Sequence, residues 1–264
     1  MTFVEENLEY YAQSNALRDV NCYIKLILGI GAILICVASS APLAPLFILI
    51  TLSAITLIYA RIPVRIYGEL LLIPLTFASF SVIVILFLSG GGQPILTFSL
   101  LGLPLTATTG SANLALLVLA RTFGGMCGLF FIALTTPMIE IFSVMHALRV
   151  PTVLIDLSML IYHFIFVFIG QTIAIHNAQT IRQGYSSFRR SVNSMAMLGA
   201  MLFIRAWKEA EDLVIAMDSR CYDGKLELPG RQDPPGAVGI LSTAWYLGLC
   251  IAVAIVTSSI VPFR

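Results

Sequence analysis

Residues 182–223 read RQGYSSFRRSVNSMAMLGAMLFIRAWKEAEDLVIAMDSRCYD and hold eleven of the chain's 29 charged side chains. Everything around this stretch is largely hydrocarbon. The 264 residues are 58% hydrophobic and 11% charged, against about a quarter charged in an ordinary soluble domain. A membrane-spanning chain satisfies its backbone groups inside helices or closed barrels, and the long apolar runs here have helical length. The expected class is therefore an all-α membrane protein of about five transmembrane helices with a helical cytoplasmic coupling domain. A net charge of +1, with basic and acidic side chains matched inside the same segments, gives no footprint for nucleic acid.

Apolar stretches run over 26–39, 43–60, 70–89, 112–136, 152–175 and 238–261, and a span needs about 20 apolar residues. Ser39, Ser40 and Pro42 break the first pair and predict a tight turn between two helices. No charge lies between Glu69 and Arg121, and Gly90-Gly91-Gly92-Gln93-Pro94 marks a loop without Lys or Arg. That loop is expected outside, while Arg18 and Lys25, with Arg61 and Arg65, place the opposite flanks in the cytosol. Glu5, Glu6 and Glu9 stand where a signal peptide would be positive. Residues 1–25 therefore read as a retained cytosolic arm and 26–136 as four transmembrane helices. If 152–175 crossed, Arg182, Arg189, Arg190, Arg205, Lys208, Arg220, Lys225 and Arg231 would lie outside, against the positive-inside rule. It also carries Asp156, His163 and Gln171, costly in lipid. Residues 137–233 are accordingly expected as one cytoplasmic domain and 238–261 as the fifth span, in a multi-pass plasma-membrane protein with a cytoplasmic N-terminus. A six-span arrangement with 152–175 inserted stays open.

Thr136 before Pro137 predicts an N-cap and a sharp helix start. Phe203, Trp207, Ala210, Val214 and Met217 recur at helical spacing, with charge on the other faces, and predict an amphipathic helix. Gly224 is the expected left-handed residue closing it, which presents Arg220 near a helix end. Arg121, near the middle of an apolar stretch, costs about 2.5–3.5 kcal/mol unless paired. It reads either as a tie to buried carbonyls or as part of a subunit interface. Gly124 and Gly128 give a Gly-x-x-x-Gly spacing that lets a second helix approach. The five cysteines lack paired spacing and read as reduced thiols. His146, His163, His176 and Cys221 do not have zinc-site spacing, so no metal site is expected. No Gly-x-x-x-x-Gly-Lys-Ser/Thr run is present, so ATP is not bound by that route.

The strings TTPMIEIFSVMHALRVP, IYHFIFVFI, AQTIRQGYSSFRRSVNSMAMLG and LFIRAWKEAEDLVIAMDSRCYDG resemble the CbiQ-type transmembrane components of energy-coupling factor transporters. In that family, two Ala-Arg-Gly-type motifs at the ends of cytoplasmic coupling helices dock into grooves on a pair of ATP-binding cassette subunits. The resemblance assigns those motifs to Ile181-Arg182-Gln183-Gly184, with an inserted glutamine, and Ser219-Arg220-Cys221, with cysteine for glycine. It implies a non-catalytic chain without its own cofactor, with ATP bound by two partner ATPases, and a separate substrate-binding membrane subunit, CbiM-like if the cargo is cobalt. Cobalt is favoured by the GYSSFRRS and SRCYDG strings. Nickel or a vitamin, or a membrane-embedded enzyme or non-transport scaffold, are the alternatives.

Overall fold

The computed structural model describes residues 11–18, 20–88, 94–100, 103–222 and 236–258, with side chains omitted for 94–107. Its helices are α1 (Cys22–Ala38), α2 (Leu43–Ala54, continued by a π-turn Ile55–Tyr59), α3 (Val64–Leu88), α4 (Thr109–Thr135), α5 (Met138–Ala147), α6 (Thr152–Ile181), α7 (Phe188–Ser219) and α8 (Ala237–Thr257). Between α3 and α4 lies a hairpin of β1 (Pro94–Leu100) and β2 (Leu103–Thr108), paired antiparallel. The protein is an all-α membrane protein with this one addition. A search for stretches of about 20 apolar residues passes over strands of seven and six residues. They divide into two units, one within Phe3–Ile141 and Gln232–Arg264, the other within Phe142–Arg231.

Among the described residues four helices are long and apolar enough to cross a membrane: Val64–Phe87, Thr109–Thr135, Thr152–Ile181 and Ala237–Thr257. The stretches expected as the first two spans form the shorter apolar helices Cys22–Ala38 and Leu43–Tyr59. The 152–175 stretch belongs to a helix of 30 residues, about 45 Å long at the α-helical rise.

In the first unit α4 is the central helix, packed against α1, α2 and α3, with α8 on α1 and α2. Its sequence explains the position. A Cβ on Gly124 would stand 2.8 Å from both Cys36 Sγ and the Pro45 carbonyl oxygen, and one on Gly128 would stand 2.8 Å from Ile33 Cγ1. Gly29 of α1 is likewise closed by Ile132. Gly29 with Ile132, Ile33 with Gly128, and Cys36 with Gly124 thus step in opposite senses along two antiparallel helices. Small residues bring the backbones together where lipid supplies no hydrophobic drive. Ala32, Cys36, Ile48, Leu52, Cys127 and Leu134 are fully buried along this seam. Outward, α3 turns Ile73, Phe77 and Phe80 into exposure, and α8 turns Trp245 and Val256, as helices covered by lipid do.

Two local expectations change. Lys25 is not a flanking surface charge. It lies inside α1, 2% exposed, donates to Thr135 O at 3.1 Å and stands 3.8 Å from Glu140 Oε2. Asn15 Nδ2 donates to Leu134 O at 3.2 Å beside it, so α4's terminal carbonyls are capped by side chains from elsewhere. Thr136 does not cap α5 either. It closes α4 in extended conformation, while the Pro137 carbonyl accepts from Glu140 N at 3.0 Å and Thr136 Oγ1 is buried without a hydrogen-bond partner.

In the second unit α6 packs on α7, and Phe142 meets Tyr162 edge-on with ring centroids 6.1 Å apart. Along α7 the least exposed positions are Ser191, Ser194, Leu198, Leu202, Ala206, Glu209, Leu213 and Met217. The expected apolar stripe lies one residue further round and shares only Met217 with them. Its bulky members Phe203, Trp207 and Val214 are exposed. Small side chains at 191, 194 and 206 allow close approach, which periodicity in large hydrophobics does not register.

Candidate functional site

Helices α6 and α7 end in the same backbone motif. Arg182 closes α6 with φ −81° and ψ 11°, and Gln183 then takes the left-handed conformation, φ 57°. Gln183 N donates to Thr180 O at 2.9 Å and Gly184 N to Gln179 O at 2.8 Å. Arg220 closes α7 with φ −98° and ψ 14°, and Cys221 follows with φ 55°. Cys221 N donates to Asp218 O and Tyr222 N to Met217 O, both at 3.1 Å. Each is the paired closure that consumes two orphan carbonyls at a helix C-terminus. Helix α5 closes likewise, with Arg149 left-handed at φ 60°.

Gln183 takes the left-handed position directly after Arg182, as Cys221 does directly after Arg220. Gly184 comes one residue later and is needed for packing, since a Cβ there would meet Ser194 Oγ at 2.6 Å. Helix α7 ends at Ser219, so the expected closure at Gly224 gives way to Cys221, and Gly224 lies outside the described residues. A side chain in the left-handed region costs roughly 1–2 kcal/mol relative to glycine, and the ends of α5, α6 and α7 each carry that cost.

Arg182, Gln183, Ser219, Arg220 and Cys221 are exposed, and Gly184 is half-buried. Among the described residues the ion pairs are Lys25 with Glu140 and Arg65 with Glu69. Neither Arg182 nor Arg220 is held by a carboxylate there. Among the described residues each guanidinium is unpaired at the negative end of a helix dipole, with forked donors that suit a carboxylate or a row of carbonyls.

Arg121, Gly124 and Gly128 are brought together on α4, apart from these ends in sequence and in the other unit. Arg121 Nε donates to Ser39 O at 3.0 Å, and its Nη2 donates to the same oxygen. It thereby satisfies the carbonyl at the end of α1, continuing the antiparallel register of the glycine seam. Among the described residues no group of three or more His, Cys, Asp or Glu is arranged to hold a metal ion. Sequence reasoning missed the polar set around the α6–α7 turn: His176, Gln179, Tyr185 and Ser194 are linked by hydrogen bonds. Its signal was the i, i+3 spacing of His176 and Gln179 at a helix end.

A family model described as cobalt transport protein, CbiQ, matches residues 13–229. A protein of Methanocorpusculum labreanum described as a putative fused cobalt transport protein CbiMQ is 46% identical over 95% of the chain, which spans 43% of that relative's length. An uncharacterized protein of Methanocaldococcus jannaschii is 36% identical over 97% of the chain and 96% of its own. The cobalt transport protein CbiQ of Rhodobacter capsulatus is 31% identical over 77% of the chain and 79% of its own.

Proposed function

The chain belongs to the CbiQ cobalt transport family, and from that premise we propose that it is the coupling subunit of an energy-coupling factor importer for cobalt. In this reading it carries no cargo and hydrolyses no ATP. Two partner ATP-binding cassette subunits bind ATP, and their closure moves α6 and α7 through Arg182 and Arg220. That motion passes to a substrate-binding membrane subunit of the CbiM kind, a partner whose name is joined to CbiQ in the fused relative. The observation that carries the proposal is the repeated helix end. Two helices stop with an exposed arginine followed by a left-handed non-glycine residue, and a two-fold partner requires two equivalent handles. The exposed Phe203, Trp207 and Val214 supply an apolar face for the membrane partner.

The charge layout favours the cytosol for this unit and for the N-terminus, with α6 lying along or inside protein rather than crossing lipid. Cys221 is exposed, so an impermeant thiol reagent should label it only after cells are permeabilised. Labelling of Cys221 in intact cells would reverse the orientation.

Arg182→Glu combined with Arg220→Glu should leave the first unit folded and release the ATPases. Loss of charge-assisted contacts at a buried interface costs about 2–5 kcal/mol, a factor of roughly 30 to several thousand in affinity. The measurement is copurification of the ATPases together with cobalt uptake by cells. Normal assembly and wild-type uptake of the double variant would reduce both arginines to helix caps.

A further inference from the structure

The two arginine-bearing ends share a backbone but differ in what stands behind them, and we infer that His176, Gln179, Tyr185 and Ser194 are positioning residues that hold the Arg182 end in its docking shape before any partner arrives. The inference rests on the coupling reading above and goes beyond it, because none of these four side chains belongs to the arginine motif.

The network is directional. Gln179 Nε2 donates to Ser194 O on α7 at 3.0 Å, which fixes the amide so that its Oε1 faces the turn. Tyr185 Oη donates to that Oε1 at 2.8 Å. A phenol has one proton, and it is committed to Gln179. His176 Nδ1, 3.0 Å from the same phenol oxygen, must therefore be the donor, with its proton on Nδ1. The two rings lie 4.7 Å apart. Ser194 Oγ closes the loop by donating to Gly184 O at 2.9 Å. Gln179 thus serves the turn twice: its carbonyl accepts from Gly184 N, and its side chain ties Tyr185 to α7.

Between the anchored residues lies Gln183, held left-handed against the preference of any side chain. The network encloses this residue and the arginine before it. The α7 end lacks such a brace among the described residues, where the Ser219 hydroxyl bonds only back to Ala216 O, at 2.8 Å. Ordering a segment on binding subtracts from affinity, and preorganisation removes that loss. The Arg182 end is thus a preformed handle, braced by side chains as well as by its own backbone closure.

The test measures the affinity of the full-length chain, in detergent, for the pair of ATP-binding cassette subunits that copurifies with it. Tyr185→Phe removes the central hydroxyl and should weaken binding about 3- to 10-fold, the worth of one or two net hydrogen bonds. Adding Gln183→Gly should restore the affinity, because glycine takes the left-handed conformation without support. In an Arg182→Glu background Tyr185→Phe should have no further effect, whereas in an Arg220→Glu background its loss should add. Nitrogen NMR of His176 should show the Nδ1-protonated form, and Tyr185→Phe should abolish that preference. Wild-type affinity of Arg182→Glu would overturn the coupling reading and this inference with it. Reduced affinity of Arg182→Glu beside unchanged affinity of Tyr185→Phe, or equal additivity in both backgrounds, would overturn this inference alone.

Discussion

Helices α4 and α7 are similar in length, 27 and 32 residues, and opposite in how they are used. Helix α4 buries small residues against three neighbours, and its last carbonyls are taken by Lys25 and Asn15. Helix α7 buries Leu198 alone, leaves Phe203 and Trp207 outside, and closes its end with its own backbone. A helix capped by its neighbours is fixed by them. One that closes itself leaves its terminal arginine exposed. The difference teaches that packing density separates the framework of this chain from the helix that, on the coupling reading proposed above, is its moving part.

The hardest test of that contrast is Lys25→Met. It leaves Glu140 and the Thr135 carbonyl without their cation, and breaking a buried pair costs about 3–5 kcal/mol. Because Glu140 is 20% exposed, the loss should fall toward the lower end, seen as a lower thermal unfolding midpoint of the purified protein. Gly124→Val comes next, since the Pro45 backbone cannot yield as a side chain would. Overpacking of this kind costs about 1–3 kcal/mol. Gly125→Val is the control, with open space at its Cβ position. If both valines were tolerated equally, the seam would not be the framework. The smallest effect is expected at Trp207→Ser. An exposed site of this kind changes stability by less than about 0.5 kcal/mol, yet copurification of the substrate-binding membrane subunit should fall. A large stability loss there would move α7 into the framework.

The membrane class and most helix positions were legible because hydropathy acts over long windows. The break at Ser39–Pro42 and the glycine spacing at 124 and 128 also carried through to the turn and the close packing found there. What escaped depends on contacts across the sequence. Lys25 reads as a flanking charge until the Thr135 carbonyl, 110 residues away, accepts its hydrogen bond. The stripe of α7 was set one residue round because large hydrophobics dominate a pattern in which serine and alanine do the packing. At the candidate site Arg182 and Arg220 both stand at helix ends, where the sequence places them. Their common backbone was hidden, since glutamine and cysteine give no sign of a left-handed turn that glycine would have announced.

The bond from Arg121 to the Ser39 carbonyl spans 82 residues and sets a schedule. The ribosome delivers α1 to the membrane well before α4, so the acceptor is already waiting when an arginine-bearing segment must leave water. The costly residue thus comes second, into a place prepared for it. Chains that begin after Ser39, and so lack its carbonyl, should integrate α4 poorly, and glycosylation-site mapping during synthesis in microsomes would register the failure.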